Sequence, residues 1–162
     1  MMKRTGLLLL LSMLLGVSMA QTPAQRIPDF RFIRKTGAAF TRQDLAAGKP
    51  VFFVFFDITC EHCRNSMQYM NGHYRELSRA AIYLVTMDPG PSAEAFLGSQ
   101  APQLARQPNV LLLRDTRQQF ITLFRPRKFP SLFLYSSQQQ LVLYSDEEKD
   151  LPVFLAKIRS AR

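Results

Sequence analysis

Cys60 and Cys63 are the only cysteines of the chain, and they frame the segment Cys60-Glu61-His62-Cys63. A disulfide across so short a loop barely restricts the unfolded chain, because the entropic gain grows with loop length. Stapling explains this pair poorly; thiol–disulfide exchange explains it better. On a helix, positions i and i+3 lie on one face, so the sulfurs can form a disulfide with modest adjustment. If the pair opens a helix, the partial positive charge and free N–H groups of that end favour a thiolate. Cys60, at the exposed end, is then the expected nucleophile. Cys63, one turn further in, is the expected resolving thiol that displaces a mixed disulfide formed at Cys60. His62 can offer the thiolate a hydrogen bond or a positive charge. Glu61 acts in the opposite sense, since a neighbouring carboxylate disfavours a thiolate. Such exchange needs no bound cofactor.

The same thiols could instead serve a metal-binding or metallochaperone module, holding Zn²⁺ or Cu⁺ together with His62. Structural zinc takes four ligands, commonly as two separated pairs. One cysteine pair is present, and His73 falls about three turns away on the same helix. Metal binding is therefore the alternative, and no metal ligand is assigned.

The elements that must position the pair are legible on either side of it. Val51-Phe52-Phe53-Val54-Phe55-Phe56 is a continuous run of β-branched and aromatic residues, as expected of a strand buried on both faces. Asp57-Ile58-Thr59 leads into a helix expected from about Cys60 to Ser78, with Met67, Met70, Tyr74 and Leu77 as its apolar stripe. Ala81–Met87 is a second buried strand, broken by Asp88-Pro89-Gly90-Pro91. Ser92 is the expected cap of a helix carrying Ala95, Phe96 and Leu97. Val110–Leu113 is a third strand, and Thr116 is the expected cap of a helix containing Phe120, Ile121, Leu123 and Phe124. Arg125–Pro130 is a basic, proline-punctuated loop. Ser131–Tyr135 and Leu141–Tyr144 form a hairpin, and Asp146 is expected to open a final helix with Val153, Phe154, Leu155 and Ile158. Before all of these, Phe30–Arg34 and Ala38–Phe40 read as a hairpin around Gly37, and Thr41–Gly48 as one short helical turn. Alternating strands and helices predict an α/β fold, with a central mixed β-sheet flanked by helices and an N-terminal β extension.

The first twenty residues stand apart from this pattern. Lys3 and Arg4 precede an apolar run from Leu7 to Leu15, and Ser18-Met19-Ala20 supplies small residues before a cleavage site. This is the layout of a signal peptide, with an uncleaved anchor as the other possibility. The run is short for a membrane span. The expected organisation is a signal peptide over 1–20, a working domain over 21–162, and residence in the periplasm or another extracytoplasmic space, where disulfides persist. The net charge of +9 is scattered apart from Arg125-Pro126-Arg127-Lys128. It reads as a solvated basic surface rather than a nucleic-acid footprint.

Taken together, Val51–Phe56, then Asp57-Ile58-Thr59-Cys60-Glu61-His62-Cys63, and Phe129-Pro130-Ser131 before a strand resemble the thioredoxin superfamily, in its exported TlpA/ResA-like branch. The likeness covers roughly residues 28–160. It implies a thioredoxin-like fold and exchange with protein thiols or disulfides of the envelope, coupled to a membrane electron donor or acceptor. It also implies that Pro130 faces the cysteine pair after a cis peptide bond, and that the backbone of Phe129 helps dock an extended substrate. Two departures stand out. Thr59 occupies the place of a usual tryptophan, and the chain has no Trp. Val54 stands where thioredoxin has a buried acid, which leaves Glu61 or Asp57 to substitute. Cys-Glu-x-Cys resembles the ResA-like reductases and x-His-Cys the Dsb-type oxidases, with reduction slightly favoured. Peroxide reduction usually uses a Thr-x-x-Cys pocket with an arginine, which is not evident here.

Overall fold

The computed structural model describes residues 22–161; the expected signal peptide at 1–20 lies outside the described residues. Seven strands join one sheet in the order β2-β1-β5-β4-β3-β6-β7. They are β1 (Arg31–Arg34), β2 (Ala39–Thr41), β3 (Val51–Phe55), β4 (Ala81–Thr86), β5 (Val110–Arg114), β6 (Ser131–Tyr135) and β7 (Leu141–Ser145). β3 runs parallel to β4 and β4 to β5, whereas β6, β7, β1 and β2 join antiparallel. The sheet is therefore mixed, and the N-terminal hairpin extends it beyond β5. Gly37, at φ 83°, lets that hairpin turn tightly, with its N–H bonded to Arg34 O at 2.9 Å.

The expectation for Val51–Phe56 holds residue by residue, because a strand points alternate side chains to opposite faces. Phe52, Val54 and Phe56 enter a cluster under the helices with Met67, Met70, Leu77 and Phe154. Val51, Phe53 and Phe55 enter a second cluster with Phe30, Phe32, Phe40, Phe120 and Phe124. The helices are α1 (Glu61–Gly72), α2 (Gly90–Gln100), α3 (Pro102–Ala105) and α4 (Leu151–Ser160). Only the first cluster lies beneath them. The second is closed by aromatic rings stacked on one another, such as Phe120 on Phe55 at 4.4 Å between centroids and Phe124 on Phe120 at 4.1 Å.

Four boundaries differ from expectation. α1 stops at Gly72; the His73 N–H turns back to Met70 O, and a 3₁₀ turn over Tyr74–Leu77 follows. α2 starts at Gly90 rather than after Ser92, with Pro91 in its first turn, where a missing N–H costs nothing. Thr116 caps no helix. Asp115 does the capping, accepting Phe120 N–H at 2.6 Å and Arg117 N–H at 3.1 Å, and Phe120–Phe124 is one π-helical turn. α4 begins at Leu151, after a 3₁₀ turn over Glu148–Asp150, because Asp146 is held by Arg127 and Asp150 by the Ser145 hydroxyl.

Candidate active site

β3 delivers the chain to the site. Asp57 to Cys60 form a tight turn in which Cys60 N–H donates to Asp57 O at 3.3 Å. The Asp57 carboxylate locks this turn, its Oδ1 accepting from the Thr59 N–H at 2.7 Å and the Thr59 hydroxyl at 2.6 Å. From the loop after β4, Asp88 Oδ2 accepts the Ile58 N–H at 3.0 Å and the Thr86 hydroxyl at 2.7 Å. The segment legible in sequence only as a strand break thus also fixes the approach to the cysteines.

Cys60 is the N-cap of α1, with extended backbone, and its Sγ accepts the Cys63 N–H at 3.3 Å. A thiolate there receives a charge-assisted hydrogen bond from one of the free amides of the helix end. Cys60 is half-buried and Cys63 fully buried, and both are free thiols. Cys63 sits within the cluster of Phe56 and Met67. Burial pushes its thiol far above the ordinary range. A hydrogen bond from the Asp57 backbone amide opposes the rise, whereas its bond with Cys60 and the charges of Cys60 and Asp57 add to it.

Glu61 opens α1 on an exposed face, where its charge suits the helix dipole. His62 also faces solvent, with its Nδ1 3.4 Å from Glu148 Oε2, and Asn65 Nδ2 donates to Glu148 Oε1 at 3.4 Å. The partnership of His62 with Glu148 had no sequence signal, since the 3₁₀ turn carrying Glu148 lies far along the chain. His73 is elsewhere, at the far end of α1, stacked on Tyr69 with its Nδ1 2.8 Å from Tyr69 O. Among the described residues no group of three or more His, Cys, Asp or Glu side chains is arranged to hold a metal ion.

The Phe129–Pro130 peptide bond is cis. Ser131 pairs with Phe55, so Pro130 lies just past the end of β3, at the edge of the sheet from which Cys60 emerges. The Phe129 ring packs on Phe55 at 4.7 Å between centroids. Arg127 N–H to Tyr144 OH at 3.0 Å and Ser131 Oγ to Lys128 O at 2.7 Å pin the loop. Its basic side chains are paired, Arg127 with Asp146 and Lys128 with Glu147. Val54, at the position of the absent acid, is fully buried in the same cluster as Cys63.

The AhpC/TSA family matches residues 23–143, most of the chain, including Cys60, Cys63 and Pro130. The protein belongs to the AhpC/TSA family. Within this thioredoxin-like family it is similar to the thiol-disulfide oxidoreductase ResA of Bacillus subtilis (strain 168). The two are 26% identical over 148 residues, spanning 86% of this chain and 80% of ResA. Among solved structures, the peroxidoxin BcpB of Mycobacterium tuberculosis matches with TM-score 0.69 and 16% identity, over 88% of this chain and 99% of that one. The thioredoxin domain of a thiol-disulfide oxidoreductase from Bacteroides vulgatus matches with TM-score 0.65 and 19% identity, over 86% and 99%. At such identities the structures speak for the fold, which is thioredoxin-like.

Proposed function

We propose that this AhpC/TSA family member is an exported thiol–disulfide oxidoreductase that exchanges disulfides with envelope proteins through Cys60 and Cys63, in the reducing direction. The observation that carries the reading is the asymmetry of the pair. Cys60 presents a half-exposed sulfur at a helix N-terminus, and Cys63 waits fully buried one turn behind it. In the reducing direction, the Cys60 thiolate attacks one sulfur of a substrate disulfide. A Cys60–substrate bond forms and the substrate's own S–S bond breaks, its second sulfur leaving as a thiolate that takes up a proton. The Cys63 thiol then loses its proton and attacks Cys60 Sγ, closing the Cys60–Cys63 disulfide and releasing the other substrate sulfur. Two electrons pass to the substrate, and a membrane electron donor restores the dithiol. Phe129 and Pro130 supply backbone for an extended substrate segment beside Cys60, while Glu61 and His62 tune the thiolate. Export rests on the layout of residues 1–20.

Insulin reduction tests this reading. The wild type is expected to reduce insulin with dithiothreitol as the electron source. Cys60→Ser should be inactive, and Cys63→Ser should accumulate a mixed disulfide with the substrate at Cys60. A wild type that exchanges no disulfide, or a Cys60→Ser variant as active as the wild type, contradicts it.

A further inference from the structure

We propose that Glu148 is a positioning residue that ties His62 away from the Cys60 sulfur and so sets the cysteine pair toward reduction. This deepens the exchange reading above and rests on it. As the N-cap of α1, Cys60 folds its sulfur over the first turn, where it accepts the Cys63 N–H. His62 belongs to that same turn. Its side chain can give a thiolate a hydrogen bond or a positive charge. A histidine left to do so would stabilise the reduced form and make the disulfide more oxidising.

The 3₁₀ turn over Glu148–Asp150, packed on α1, engages the ring instead. It brings Glu148 Oε2 to 3.4 Å from His62 Nδ1. Asn65 Nδ2, donating to Oε1 at 3.4 Å, steadies the carboxylate. Oε2 is shielded from solvent, and among the described residues it has no hydrogen-bond partner beyond this ion-pair contact. A carboxylate oxygen cut off from water is costly unless a donor faces it. The His62 Nδ1–H group is the donor the fold sets there.

Committing Nδ1–H to Glu148 withdraws the ring from Cys60 in either protonation state. A neutral ring with its proton on Nδ1 has only a lone pair on Nε2, and nothing left to donate. A protonated ring keeps an Nε2–H, but its charge is balanced by Glu148, so the sulfur meets a neutral pair rather than a cation. Glu147, itself bonded to Lys128, acts on the same ring by charge. The sulfur of Cys60 is left with its bond from the Cys63 amide, and the dithiol gains no support from His62.

The test is the equilibrium with glutathione. In it the Cys60–Cys63 disulfide and two reduced glutathione molecules give the dithiol and one oxidised glutathione. Acid quench, alkylation and mass spectrometry count the dithiol at neutral pH. Glu148→Ala should raise the constant for this reduction about three- to fivefold, the size of one partly exposed charge contact. Glu148→Gln, which keeps the shape of the side chain, should move it the same way. His62→Ala alone should change it little, and in the His62→Ala background Glu148→Ala should add nothing. Thermal unfolding of each variant checks that the fold is intact. A constant unchanged in both Glu148 variants, a shift toward the disulfide, or a shift of equal size without His62 overturns the assignment. Insulin reduction decides the exchange reading separately: a wild type whose pair equilibrates with glutathione but reduces no insulin overturns that reading alone.

Discussion

The buried Cys63 thiol ties the chemistry of the site to the stability of the chain. Burial, first among its causes, raises the Cys63 thiol, so the folded dithiol holds that proton more tightly than the unfolded chain does. Below the ordinary thiol value of about 8.5, both states are protonated and this contribution is complete. Above that value the unfolded chain ionises first, and stability is lost as pH rises, by at most about 1.4 kcal/mol per pH unit. Burial raises Tyr83 as well, which adds the same trend from about pH 10 upward. Urea denaturation of the dithiol between about pH 7 and pH 10 should show falling stability. Cys63→Ala should flatten the slope above about pH 8.5; an unaltered slope would contradict the account. At this scale the sequence said much about Cys60 and Cys63, because their separation alone sets them on one helical face. It named Asp57 only as a possible substitute acid, and it gave no hint that Glu148 faces His62.

Between the strands, capping was the property hardest to read from sequence. Thr116 looks like a cap because it precedes an apolar run, but its side chain is exposed. The neighbouring Asp115 is buried and holds two backbone amides. Asp115→Ala should cost about 1–3 kcal/mol by leaving a buried donor unpaired, whereas Thr116→Ala should stay within about 0.5 kcal/mol. Guanidinium melts of the two variants decide between the caps, and equal losses would restore Thr116. The long helix expected over Cys60–Ser78 ended early for a comparable reason. Periodicity continues through Tyr74 and Leu77, and Leu77 is buried as that pattern requires. The backbone nevertheless tightens to a 3₁₀ turn after Gly72 and His73, which lets the chain turn into β4 while keeping the same face inward.

Across the whole molecule, the sheet separates a helix-covered face that holds Cys63 from an aromatic face that does not. Phe53 is fully buried at the centre of the aromatic face, in ring contact with Phe30, Tyr83, Phe120, Phe124 and Tyr135. Phe53→Ala should cost about 3–5 kcal/mol in chemical denaturation. The iodoacetamide reactivity of Cys60 in the folded variant should stay close to that of the wild type. A large change in that reactivity at little cost in stability would show that the two faces are not insulated. By itself the sequence determined the α/β order, the double-sided burial of Val51–Phe56 and the pairing of Cys60 with Cys63. Each of these is written in local spacing, whether the two-residue alternation of a strand or the three-residue step of a helix. The tertiary structure alone decided that Pro130 lies beyond the end of β3, that Asp88 ties down Ile58, and that aromatic stacking rather than a long helix closes the second face. Those outcomes depend on the β3–β6 register and on side-chain packing between distant segments, which no local spacing encodes.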